Sequence, residues 1–141
     1  MIALHSRLSI GLRYALLGVC IAGCGGALKT YPVTGKVTLK GGQPLVGALV
    51  EFETTVDGKR VTAHGETQED GSYKLESPGL GEGAVAGQHK IIVSPPGREP
   101  GGRPPPAFDR RFQSYATTPL SFTVKPEGPF VHDFEVTAPR R

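Results

Sequence analysis

The sequence predicts an all-β domain, a seven-stranded antiparallel β-sandwich, and three observations predict it. Apolar and polar residues alternate over short runs, as in Val33, Gly35, Val37 and Leu39 against Thr34, Lys36, Thr38 and Lys40, the period of a strand with one buried face. Turn signals separate these runs at short intervals, with 20 glycines and 13 prolines in 141 residues, more than an average chain carries. Beyond the first 23 residues almost nothing reads with helical period, and many short strands without helices argue for a sandwich.

In chain order, residues 1–23 read as a secretory signal helix. Arg7 and Arg13 form a basic start, and Tyr14 to Ala22 is an apolar core too short to span a bilayer. The end of this leader, Ile21-Ala22-Gly23-Cys24, resembles the bacterial lipobox. That resemblance implies cleavage before Cys24 and a thioether-linked diacylglycerol on its sulfur, with palmitate-type chains holding the protein on a bilayer. A single acyl chain binds marginally at about 0.8 kcal/mol per buried methylene, and two anchor stably. Ordinary cleavage that leaves a free thiol is the alternative. Cys20 falls in the leader and Cys24 takes the lipid, so no disulfide, thiolate metal site or cysteine nucleophile is expected in the mature domain. The chain carries 16 basic and 13 acidic residues, and removing Arg7 and Arg13 with the leader leaves 14 against 13. A nearly neutral domain gives no argument for nucleic-acid binding.

Residues 24–32 read as a tether, residues 33–137 as the domain and residues 138–141 as a tail. The opening stretch, Val33 to Phe52, reads as a hairpin, with Gly41-Gly42-Gln43-Pro44 as its turn and Ala48, Val50 and Phe52 resuming the alternation. Further strands are expected at 60–67, 72–76, 88–94, 120–124 and 131–137. Asp57-Gly58 and Asp70-Gly71 mark turns. Residues 77–87, with four glycines and Pro78, read as a loop. So do residues 95–107, with six prolines and three glycines. One short helical turn is expected within 108–118.

Three segments carry a family resemblance. Val33-Thr34-Gly35-Lys36-Val37 with Gly42-Gln43-Pro44-Leu45-Val46-Gly47-Ala48, then Thr67-Gln68-Glu69-Asp70-Gly71-Ser72-Tyr73-Lys74-Leu75, then Gly87-Gln88-His89-Lys90-Ile91-Ile92-Val93 resemble carboxypeptidase regulatory-like domains. That family implies a transthyretin-like (prealbumin-like) sandwich. The second half, with Tyr115, Thr117-Thr118-Pro119-Leu120 and Phe134-Glu135-Val136, is similar to small lipoproteins common in planctomycete bacteria. The shared positions are turn glycines and core residues, so the resemblance speaks to fold more than to function.

Chemistry is sparse. His64, His89 and His132 fall in three expected strands, and three imidazoles could bind zinc. His64 and His132 have no partner at ligand spacing, and the resemblance puts His89 where related domains carry an aromatic residue at the start of a strand; structural or solvated histidines are the plainer reading, so no metal and no cofactor are expected. Glu69-Asp70-Gly71-Ser72 lacks the alternating acids of a calcium loop, and a turn explains it. No Gly-x-Ser-x-Gly elbow, His-Glu-x-x-His or phosphate loop is present. The tail Thr137-Ala138-Pro139-Arg140-Arg141 also lacks the ending of transthyretin-related hydrolases. No catalytic residue is therefore expected. Arg98, Arg103, Arg110 and Arg111, with Phe108, make the proline loop a candidate ligand loop for an anionic envelope polymer or lipid headgroups; a solvated loop is the alternative. The expectation is a non-enzymatic, lipid-anchored module of the cell envelope, in the outer membrane or at the cell surface, facing periplasm or exterior. A glycan-binding module is the second reading and a hydrolase the third. Tyr31, Tyr115, Phe108 and Phe112 are the candidate aromatic platforms that would favour a glycan.

Overall fold

The computed structural model describes residues 26–97, 100–102 and 107–139. Within them the chain forms twelve short strands: β1 (Thr30–Tyr31), β2 (Val33–Leu39), β3 (Leu49–Val56), β4 (Lys59–Glu66), β5 (Ser72–Lys74), β6 (Glu76–Ser77), β7 (Gly81–Glu82), β8 (Ala84–Val85), β9 (Gly87–Ser94), β10 (Ser121–Val124), β11 (Phe130–Val131) and β12 (Phe134–Val136). The one helical turn is a 3-10 turn at Arg110–Gln113, started by the Asp109 carboxylate accepting from the Arg111 N–H at 3.0 Å. The all-β prediction holds, and so does the single helical turn.

Two sheets carry the domain. The larger runs in the order β10-β9-β3-β4-β6-β7, and its ladders are antiparallel. The smaller is built on β2, with β5 along one side and β11 and β12 end to end along the other. Their inner faces share one core: Val33, Val37 and Val136 from the smaller sheet meet Val50, Phe52, Ile91 and Val93 from the larger, all fully buried. Tyr73 joins the same core, so Val37, Val50, Tyr73 and Ile91 occupy the common face that their alternation predicts. Phe52 is the centre, with ring centroids of Tyr73, His89, Phe122 and His132 at 6.3, 5.9, 6.3 and 6.2 Å.

Four expectations are corrected. β2 and β3 are not a hairpin; they belong to different sheets. The Gly41-Gly42 turn does fold back, since Leu39 N–H donates to Gln43 O at 2.7 Å and Leu45 N–H to Val37 O at 3.0 Å. Pro44 has no N–H to extend that ladder, Leu45 dives into the core, and Gly47 at φ 68° turns the chain onto the larger sheet. Second, the architecture is not wholly antiparallel: β11 and β12 both run parallel to β2. Third, seven strands undercount the ladders, because residues 77–87 contain β7 and β8 rather than a bare loop. Fourth, β structure begins inside the stretch read as tether, where β1 pairs with β8.

The topology gives the sandwich two distinct ends. β1 leads directly into β2, so the chain from residue 29 backwards leaves at the start of β2. The β3–β4 tip at Asp57-Gly58, the β6–β7 tip at 78–80 and the 125–129 turn all lie at this end, as their pairings with β4, β9 and β2 require. The turns at 41–43 and 69–71, the end of β9 and the end of β12 lie at the other.

Candidate functional site

The outward positions of β2 and β5 build a groove. Alternation in β2 turns Thr34 and Lys36 outward while Val33 and Val37 face the core. β5 brings Ser72 and Lys74 into register beside them. Val131 of β11 and Asp133, just before β12, supply one wall, and Glu66 and Gln68 form the other. The groove encloses about 610 Å³.

Its geometry depends on one close approach. Gly35 sits where a Cβ would overlap the carbonyl of His132 and crowd the Tyr73 ring. Absence of that Cβ lets the chain at 132 lie against β2, where His132 N–H donates to Thr34 O at 2.8 Å. The Tyr73 hydroxyl donates to His132 O at 2.6 Å from inside. Burial drives the Tyr73 phenol well above its ordinary pKa, so it remains a donor.

Most charges on the groove are already paired. Asp133 Oδ1 accepts the Lys36 N–H at 2.8 Å. Lys36 Nζ lies 3.2 Å from Asp70 and Lys74 Nζ 2.8 Å from Glu82. Asp70 closes its turn by accepting the Ser72 N–H at 3.0 Å. Hydrogen bonds from the Ser72 side chain and backbone, then the Lys36 ammonium, lower its pKa to about 2. The lining itself holds two lysines and two carboxylates, Glu66 and Asp133, with Asp70 and Glu82 pairing the lysines from beside it, so the groove carries no basic surplus to hold an anionic polymer. Val131 stands at the rim with 74% of its surface exposed, the most exposed large hydrophobic among the described residues.

The residues singled out from sequence do not gather here. Cys24, Arg98 and Arg103 lie outside the described residues. Phe108 and Phe112 are buried, at 4% and 2% exposure, and plug the core; they are not ligand platforms. Arg111 is held by Thr137 Oγ1 at 3.2 Å and sits 3.6 Å from Asp109, so it is occupied in fastening the turn to the end of β12. Arg110 is exposed. Tyr31 and Tyr115 are half-buried, and the Tyr115 hydroxyl is covered.

The histidines separate as well. His64 is exposed on the outer face of β4, opposite Glu51 and Glu76. His89 is buried, with Nε2 2.8 Å from Val85 O; because that partner is a carbonyl, Nε2 carries the proton. Its Nδ1 is buried without a partner, and burial lowers its pKa. His132 stacks on Phe122 at 4.4 Å, and burial lowers its pKa against an opposing pull from Asp133. No group of three potential metal ligands converges among the described residues. No family model, curated protein or solved structure matches this chain.

Sequence reasoning missed the groove. The signal for half of it, the outward Thr34 and Lys36, was present in the alternation. Nothing local joins them to Val131 and Asp133, nearly a hundred residues away.

Proposed function

We propose that this chain is an exported, lipid-anchored domain of the cell envelope that acts as a non-enzymatic binding or structural module with a transthyretin-like arrangement of its two sheets. One observation carries the reading: Ile21-Ala22-Gly23-Cys24 stands five residues ahead of β1, the spacing of a lipid attachment site on a short tether before a folded domain. The carboxypeptidase regulatory-like segments support the finer fold, since their residues Val33, Val37, Tyr73, Ile91 and Val93 are core positions of β2, β5 and β9 and their Gly42, Gly47 and Gly71 take positive φ between strands. The non-enzymatic part rests on how the candidate groups are used. His89 is tied to Val85 O, His132 is stacked on Phe122, and the groove is lined by paired lysines and carboxylates. A protein partner suits the groove better than a glycan, because the one aromatic in its described lining, Tyr73, is only 3% exposed and Val131 offers an apolar contact. Among the described residues no helix is long and apolar enough to cross a membrane.

Mass spectrometry of the mature amino-terminal peptide tests it. The expected result is a Cys24 carrying diacylglycerol, with a Cys24→Ser variant lost from the membrane fraction. An unmodified Cys24, or a Cys24→Ser protein that stays with membranes, overturns the proposal.

A further inference from the structure

The two ends of the sandwich are chemically unlike, and the tether leaves from only one of them. We propose that this end is itself a lipid-contacting surface, so that the domain stands on the bilayer with its strands upright; the proposal rests on the lipid anchor at Cys24. Reach is the first argument. Five residues, 25–29, separate Cys24 from β1, and at about 3.5 Å per residue they span at most ~17 Å. An eight-residue strand such as β3 is roughly 25 Å long. The tether is therefore too short to let the domain turn over and place the 41–43 and 69–71 turns on the lipid.

Surface chemistry is the second argument. Four large hydrophobics are exposed among the described residues: Leu28, Val46, Leu80 and Val131. Leu28 is in the tether, Leu80 is at the β6–β7 tip, and Val131 pairs with Thr34 at the start of β2. Leu28 and Leu80 thus lie toward the tether end, Val131 belongs to the groove beside it, and Val46 lies at the other end. Lys29 Nζ lies 5.5 Å from the half-buried Tyr31 ring, and an aromatic ring beside a long lysine suits the headgroup layer. Cations and acids nearly balance at this end, with Lys29, Lys59, Arg60 and Lys125 against Asp57, Glu82 and Glu127. The contact is accordingly apolar, seated by Leu28 and Leu80, and it does not weaken with salt as a basic patch would.

Under the anchor reading the mature chain has no free thiol, so one introduced cysteine labels uniquely. The exposed positions Glu127 and Gln43 mark the two ends. Full-length lipidated Glu127→Cys and Gln43→Cys proteins, each carrying a fluorophore, are reconstituted in phosphatidylethanolamine/phosphatidylglycerol vesicles with brominated acyl chains. The label at 127 is expected to be quenched several-fold more than the label at 43, equally at low and high salt. Combining Leu28→Asp and Leu80→Asp with Glu127→Cys is expected to relieve that quenching while the protein still floats with the vesicles. Equal quenching at the two positions, quenching that salt abolishes, or no relief in the Asp variants overturns the proposal. A Glu127→Cys protein that fails to float, with an unmodified Cys24 by mass, overturns the anchor reading and this proposal with it; floating with equal quenching overturns this proposal alone.

Discussion

Gly35→Ala tests the parallel pairing of β2 with the carboxy-terminal strands. Gly35 faces the core side of β2 beside Tyr73, and its missing Cβ is the space occupied by the His132 carbonyl. Both obstacles are constrained. The His132 carbonyl is held by the Tyr73 hydroxyl at 2.6 Å, and the His132 N–H by Thr34 O at 2.8 Å. Tyr73 is 3% exposed and packs against Phe52 and Phe134. Adding a methyl must push the chain at 132 away from β2. Overpacking of this kind costs about 1–3 kcal/mol, and losing a buried hydrogen bond adds about 1 kcal/mol. For a domain of this size each kcal/mol lowers Tm by roughly 4–8 °C, so a fall of about 10–25 °C is expected by circular dichroism. Thr34→Ala, a half-exposed neighbour on the other face, is the control and should move Tm by only a few degrees. A Gly35→Ala protein as stable as Thr34→Ala would refute the placement of 132 against β2, and with it the groove.

Two further outcomes follow from burial. Ile91→Ala should cost about 2–5 kcal/mol, because Ile91 is fully buried, whereas exposed Lys90→Ala should cost far less; equal losses in urea unfolding would mean that β9 is out of register by one residue. His89 and His132 have folded pKa values below the ordinary 6.5 because burial disfavours the imidazolium. The unfolded chain then binds more protons in that range, so their contribution is complete above pH 6.5 and declines as pH falls below it. Tm should drop between pH 7.5 and 5.5 in wild type, and the slope should flatten in a His89→Phe, His132→Phe double variant; a Tm that holds or rises on acidification contradicts the assignment.

What this sequence determined by itself is local. A period of two places Val37, Val50, Tyr73 and Ile91 inward and Thr34, Lys36 and Lys74 outward. Asp-Gly and Gly-Gly pairs mark turns because their backbones accept the positive φ seen at Asp57, Gly58, Gly41, Gly42 and Gly71. These properties depend on each residue and its immediate neighbours. Which strand pairs with which is not of that kind. The Gly41-Gly42 turn looks like a hairpin and does fold back as far as Leu45, yet Leu45 is fully buried, Gly47 redirects the chain at φ 68°, and β3 joins another sheet. Phe108 and Phe112 follow a proline-rich, arginine-bearing stretch and look available to a ligand; the gap they fill exists only once both sheets have formed. The groove has the same origin. Thr34 and Val131, or Lys36 and Asp133, meet because a parallel partner returns to β2 after the whole chain has folded, and parallel pairing over such a separation leaves no local mark in the residues that make it.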